Sequence, residues 1–416
     1  PGCRPRRHAN ADRRFGFVMG WLRRSPLTVI VIAQLFGTSL WFSINGVWFS
    51  LSAELGLTEH DLGQLTLSVQ AGFIVGTLIL ATTGLADRFS ASRIVAIASV
   101  LGALFNAAFI LVAPFAPLDT VVRFLTGLCL AGIYPLGMKM VIAWTPTYAG
   151  AALGWLVGML ALGTATPHLM RTLTLTLPWE WALLGASSLT LIGGGLILRL
   201  GDGPHLPQTA GRIGLKRGLE ALRIPDFRAA AGGYFGHMWE VYAVWMLIPL
   251  LVAREVSRLE AATALVPLLS YLIIGIGLLG CVVGGQLSRT RGSTWVAGRA
   301  LSLSGSLCLI YPLLAAIQTP PMIMIGLLFI WGLAVVADSP QFSALASSSA
   351  PPDRVGASLA IMNTIGFGLS IPAIWLTSYL WAAQGPWVLL WLLPGPMLGL
   401  RALYRPRAPE LPDPIH

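Results

Sequence analysis

Runs of about 20 predominantly apolar residues succeed one another along the chain. They lie near 27–49, 63–85, 94–113, 118–140, 149–171, 179–199, 228–252, 262–285, 295–316, 322–343, 356–380 and 385–403. Each is long enough to cross the hydrocarbon layer of a bilayer as a helix, and polar residues gather in the short gaps between runs. The pattern predicts an all-α integral membrane protein with 12 transmembrane helices. The largest gap divides them into two sets of six. The expected organisation is a basic tail over 1–26, a first half over 27–199, a linker over 200–227, a second half over 228–403 and a tail over 404–416. Within the linker, Leu215, Leu219 and Leu222 form a stripe beside Arg212, Lys216, Arg217 and Arg223. That stripe suits a short helix on the inner membrane surface, while Gly211, Gly214 and Gly218 equally suit a flexible basic linker.

Composition agrees with this reading. The 416 residues are 55% hydrophobic and 11% charged, with a mean hydropathy of +0.74, more apolar surface than a water-soluble domain needs. Cys3, Cys129, Cys281 and Cys308 show no paired spacing, and the last three lie inside apolar runs, so they read as packing residues. Neither disulfide, metal nor cofactor is expected. The net charge of +10 would suit a nucleic-acid partner, but the placement of the charges excludes it. All but Arg123, Arg171, Arg254 and Arg258 of the 27 Lys and Arg fall on one side of the predicted topology. The other side carries Glu54, Glu59, Asp61, Asp119, Glu180, Glu255 and Glu260. The positive-inside rule then puts both termini in the cytoplasm. Arg13-Arg14 ahead of Phe15 is similar to a twin-arginine export signal. The apolar run that follows is full length and lacks a cleavage site, which favours a basic tail, and Met19 is a candidate start.

The two halves repeat. Gly127-Leu128 and Pro135 match Gly332-Leu333 and Pro340 at an offset of 205, and Gly150-Ala151-Ala152-Leu153 matches Gly356-Ala357-Ser358-Leu359 at 206. Gly84-Leu85-Ala86-Asp87-Arg88-Phe89-Ser90-Ala91-Ser92-Arg93 has a counterpart in Gly285-Gln286-Leu287-Ser288-Arg289-Thr290-Arg291-Gly292, with Ser288 in place of Asp87. Duplicated six-helix halves related by an axis along the membrane normal are indicated. The first of these stretches resembles the loop motif G-x-L-a-D-r-x-g-r-r of the major facilitator superfamily. Arg123-Phe124-Leu125-Thr126-Gly127 resembles that family's R-x-x-q-G motif. The resemblance covers nearly the whole chain. It implies a monomeric secondary transporter working by alternating access, with the first, fourth, seventh and tenth helices lining a central cavity. It assigns Asp87, Arg88, Ser288 and Arg289 to gating. Asp87 is expected to face the N-terminus of the eleventh span near Val355-Gly356, where backbone N–H groups are unpaired.

Polar residues inside apolar spans are costly and point to function. The richest stretch is Gly236-His237-Met238-Trp239-Glu240-Val241-Tyr242-Ala243-Val244-Trp245. Glu240 lies roughly 18 Å from the cytoplasmic end of its span, and His237 at i−3 shares its face. The pair suits proton coupling, or else a lock between two helices. Asp338 and Gln341 flank Pro340, which breaks the tenth span, and there substrate contact stands beside gating or packing. Arg123 is a candidate anion contact, a support of the proton site, or a span-end snorkelling residue that does neither. Asn45, Trp41, Tyr134 and Trp245 are further substrate candidates, the tryptophans being equally suited to an aromatic belt. Gln70, Asn106, His168 and Asn363 are lesser ones, suited to helix–helix hydrogen bonding. Gly154-x-x-x-Gly158 and Gly280-x-x-x-Gly284 permit close helix contact where the family's two halves meet.

The expected function is proton-coupled transport of a small polar or anionic solute. Nitrate/nitrite transporters use arginines in the second and eighth helices, which 63–85 and 262–285 lack. The fifth-helix G-P motif of drug–proton antiporters is incomplete here, with Thr166 before Pro167. No G-x-x-x-x-G-K-[ST] loop supports ATP drive. Efflux of amphipathic compounds is an alternative, as is a receptor or assembly factor on a transporter scaffold. An intramembrane enzyme lacks paired carboxylates, a metal cluster or a Ser/His dyad.

Overall fold

The computed structural model describes residues 25–146, 149–205, 215–351 and 355–405. Every regular element among them is helical. The spans are Pro26–Leu55, Glu59–Thr83, Ala91–Val112, Leu118–Trp144, Ala149–Leu173, Glu180–Leu200, Pro225–Arg258, Leu265–Arg291, Ser293–Ala316 and Pro321–Ser349, followed by the 49-residue stretch Val355–Leu403. That last stretch is two passes. Helix Val355–Gln384 ends at Gly385, whose φ of +52° suits a residue without Cβ, and a 3₁₀ segment Gly385–Leu392 leads into helix Pro394–Leu403. Neighbours along the seventh span fix the directions. Gly366 packs against Tyr234 and Met238, and Gly218, just before the seventh span, packs against Ala357 and Ile361, so the eleventh pass runs with the seventh. Trp239 pairs with Trp391 and Gly232 with Ala402, so the twelfth runs against it. Below, the side on which the described chain starts and ends is the terminal face, and the other the far face.

Large apolar side chains such as Ile97, Leu104, Leu111, Ile192 and Leu398 stand exposed around the bundle. Lipid solvates such a surface at low cost, and the helices satisfy their own backbone groups.

The sequence repeat has a structural cause. The fourth span is interrupted between Ala131 and Tyr134, and the tenth between Ala334 and Ser339. Pro135 and Pro340 each stand second in the resumed helix, where no N–H donor is needed. Beside these breaks the backbones nearly touch. A Cβ added to Gly72 would stand 1.9 Å from the Phe124 carbonyl oxygen, and one on Gly127 would stand 1.9 Å from that of Val69. In the second half, Gly280 would meet Leu333 O at 2.0 Å and Gly332 would meet Ile273 O at 1.8 Å. The second span is thus joined to the fourth, and the eighth to the tenth, by reciprocal glycines. This revises the expected role of the small-residue motifs. Gly158 does face the other half, against Leu278 and Cys281, but Gly154 meets open space. Gly280 and Gly284 turn toward the tenth span within their own half, and their counterparts are Gly72 and Gly76.

The halves meet along three seams. The second span contacts the eleventh through Gln70 and Ser370, through Gly63 against Ser378, and through the rings of His60 and Tyr379. The fifth contacts the eighth, with Leu162 against Gly275. The first contacts the seventh through aromatic rings. The second span ends at Gly84 with φ +66°, and Ser92 at the start of the third is held by Asp202, which accepts from its backbone N–H at 2.8 Å. In the repeat, the eighth span instead runs on through Gly285 to Arg291 and turns at Gly292. Ser288 donates to its own helix at Gly285 O, 3.0 Å away, while Arg88 and Arg289 are exposed. The side chain of Asp87 lies outside the described residues. The linker contains helix Leu215–Glu220, whose Gly218 packs against the eleventh span. Cys129, Cys281 and Cys308 are buried and free.

Candidate functional site

The seventh span is a single 34-residue helix, so Glu240 stands about 22 Å along a length of about 51 Å. It is 1% exposed and faces the ninth and tenth spans. Ser304 Oγ donates to Glu240 Oε1, as does Trp331 Nε1 at 2.9 Å, and Cys308 Sγ lies 3.6 Å away. Trp331 Nε1 is also 3.0 Å from Ser304 Oγ, so one indole organises both groups. His237 has a different partner from the expected Glu240. Its Nδ1 is 2.9 Å from Asp338 Oδ1, at the interruption of the tenth span. The contact is not aligned as a hydrogen bond, and no donor among the described residues reaches either carboxylate oxygen of Asp338. Gln341 is buried one turn further on. Two carboxylates and one imidazole thus share a core without a neighbouring Lys or Arg among the described contacts. An uncompensated charge there is expensive, which is the physical setting of a group that binds and releases a proton.

Nearer the far face, Glu255 is fully buried. It pairs with Arg254 and, at 2.6 Å, with Arg258, and accepts from Tyr311 Oη at 3.2 Å. This clamp between the seventh and ninth spans has no proton-site geometry, because two guanidinium groups already balance the carboxylate.

Arg123 lies within the first half, 1% exposed; both terminal nitrogens of its guanidinium are committed to protein groups, while Nε meets no acceptor among the described residues. The first span is interrupted between Thr38 and Ser43. Arg123 Nη2 donates to the freed carbonyls of Leu40 (3.3 Å) and Trp41 (3.0 Å), and Nη1 to Ser43 Oγ (3.0 Å) and Asn106 Oδ1 (3.1 Å). Asn106 passes the network on to Ser187 Oγ and Leu183 O in the sixth span. The arginine is therefore the cap of a broken helix. Arg123→Ala is expected to cost about 3 kcal/mol by orphaning these acceptors, with Arg123→Lys between it and the parent because a single ammonium cannot span the fork. Thermal unfolding in detergent would check the order; an alanine variant as stable as the parent would dismiss the capping role.

The remaining candidates fall along the seams. Trp41 donates to Gln70 Oε1 at 3.0 Å, and Gln70 donates on to Ser370 Oγ at 2.7 Å, a polar chain from the first span to the other half. Trp245 packs edge-on against Phe42, 6.2 Å between centroids. Tyr134 begins the resumed fourth helix beside Trp41. Among the described residues Asn45 reaches only Thr66, at 3.4 Å, and joins the first span to the second. His168 is buried, its Nε2 without a partner among the described residues, and Asn363 is half-buried. Sequence reading passed over Trp331, Ser304 and Asp202. Of these, Trp331 alone carried a signal, as the residue just before the repeated glycine Gly332.

Two pseudo-symmetric bundles meeting at seams, with ionisable groups at mid-depth, define a secondary transporter of the membrane. Residues 29–373 match the model of the Major Facilitator Superfamily, and the chain belongs to that family. The family and its solved relatives are transporters, not enzymes. A crystal structure of a D-xylose–proton symporter superposes with a TM-score of 0.72 at 16% identity, covering 91% of this chain and 97% of that one. A partially occluded, inward-open form of the xylose transporter XylE from E. coli gives 0.73 at 13% identity, covering 92% and 98%. The proton:xylose symporter bound to 6-bromo-6-deoxy-D-glucose gives 0.69 at 16%, covering 92% and 95%. None of the curated proteins compared matches.

Proposed function

We propose that the protein is a proton-coupled transporter that moves a small polar solute by alternating access across the bacterial inner membrane. It works as a monomer with both termini in the cytoplasm. The observation that carries this reading is the buried set of Glu240, His237 and Asp338 at mid-depth, beside the interruption of the tenth span. The proton coupling named for the structural relatives supports the same class of drive. The anionic branch loses its support, because Arg123 is committed to the first span. The test is solute flux in proteoliposomes with and without an imposed pH gradient. Gradient-dependent accumulation supports the reading, flux indifferent to the gradient removes the proton, and absence of flux favours a receptor or assembly factor. Efflux of amphipathic compounds remains a second reading because rings dominate the seam between the first and seventh spans; direction of flux decides it.

Gating is assigned to the terminal face. Asp87 closes on the start of the eleventh span, with Arg88 beside it, while Ser288 and Arg289 form the weaker counterpart, the Ser288 hydroxyl being spent on its own helix. Asp87→Asn is expected to raise the labelling, from the cytoplasmic side, of a cysteine placed in the seam. Unchanged labelling would dismiss the latch.

A further inference from the structure

The face of the seventh span opposite Glu240 has a different chemistry. Each residue turns the helix by about 100°, so Tyr234, Tyr242 and Trp245 share one face while Glu240 points behind it. That face meets rings from the other half and from the eleventh span. Trp41 lies 5.5 Å from Tyr242, 5.9 Å from Phe367 and 6.5 Å from Tyr134, and Tyr242 lies 5.4 Å from Phe367. Tyr234 packs on Gly366, next to Phe367. The rings of Tyr234 and Tyr242 are buried on this face. The indole N–H of Trp245, 1% exposed, lacks an acceptor among the described residues. Arg123 turns to the first span, Glu240 to Trp331 and Glu255 to its arginines, while Asp338 faces His237, whose ring lies 6.0 Å from that of Tyr234.

We propose that the solute taken at this ring-lined seam is uncharged and cyclic, with a flat apolar face and hydrogen-bonding groups on its rim. Ring faces accept a flat partner, and phenols both donate and accept, so they suit hydroxyl, amide or ring-nitrogen groups. An ionised solute would surrender its hydration here without a counter-charge. An organic cation would gain from the ring faces, but the nearby carboxylate of Asp338 is already turned to His237. In this structure the rings of the two halves rest on one another. The solute would replace those contacts as the halves part, so occupancy and alternation share one surface. The inference deepens the transport reading and rests on it.

The test is thermal stabilisation of the intact, detergent-solubilised protein by D-xylose and D-glucose, by uracil and hypoxanthine, by benzoate, and by tetraethylammonium. Stabilisation by at least one neutral ring and by neither ion is expected; the first two pairs distinguish a sugar from a heteroaromatic base. The variants Tyr134→Phe, Tyr234→Phe and Tyr242→Phe keep the rings and remove the hydroxyls. Together they should weaken that binding roughly tenfold. Stabilisation by benzoate or tetraethylammonium instead, no stabilisation by any neutral ring, or undiminished binding in the triple variant would overturn the proposal. Counterflow of the stabilising compound in proteoliposomes separates the two claims: binding without flux sinks the transport reading and leaves the site standing.

Discussion

Glu240→Gln is expected to abolish solute accumulation driven by a pH gradient while leaving exchange of solute across the membrane. The amide has the size of the carboxyl and can still accept from Trp331 Nε1 and Ser304 Oγ, so the packing among the seventh, ninth and tenth spans is kept. What it cannot do is lose a proton, and it therefore mimics the loaded state permanently. Uptake would then follow the solute gradient alone, and the steady-state accumulation ratio would fall to unity. Tracer uptake and counterflow in the same proteoliposomes separate the two behaviours. Undiminished gradient-driven uptake would move the coupling site away from Glu240, with Asp338 next in line because its carboxylate lacks aligned donors.

A second large effect concerns the fold. Gly127→Ala and Gly332→Ala each place a methyl group less than 2 Å from a carbonyl oxygen of the neighbouring span. A strained rotamer cannot relieve such a clash, since neither the methyl carbon nor the backbone oxygen has a torsion to turn. The helices must move apart, at about 3 kcal/mol or more for each variant. Loss of monodisperse protein on extraction, or a clearly lower unfolding temperature, is the expected readout. Gly154→Ala and Gly326→Ala, where the added carbon meets open space, should behave as the parent does. Equal stability in all four would show that the contacts yield more than their geometry suggests.

The spans were legible because length and hydropathy carry that information directly, and the observed boundaries differ from the expected ones by a few residues, more where helices run on past the membrane as at Arg258. The interruption of the tenth span was legible too, through Pro340, and Pro135 at the matched position marked where the fourth span breaks. What sequence could not supply was the facing of each helix. In a span apolar all round, periodicity does not say which side meets protein and which meets lipid. Glu240 and His237 were therefore placed on one face correctly, but their partners, Trp331 and Asp338, lie about 90 to 100 residues away and share no pattern with them. Arg123 is the sharper lesson. A buried guanidinium is read as an anion site until the broken helix beside it is seen, and the break at Thr38–Ser43 carries neither glycine nor proline to announce it.

The reciprocal glycines have a mechanical consequence. Helices joined at backbone distance cannot slide or splay without losing the whole contact, so the second and fourth spans form one stiff strut, and the eighth and tenth another. The seams between the halves are built of softer stuff: rings, one amide, serine hydroxyls and the leucines of the fifth and eighth spans, all side chains able to find new partners after a rotation. Force generated by a change at Glu240, which is gripped from the ninth and tenth spans, would pass through the strut undiminished and spend itself at the seam. A transporter so built would act as a pair of levers on a compliant joint, its stroke set by how far the aromatic rings travel before the next set of contacts arrests them.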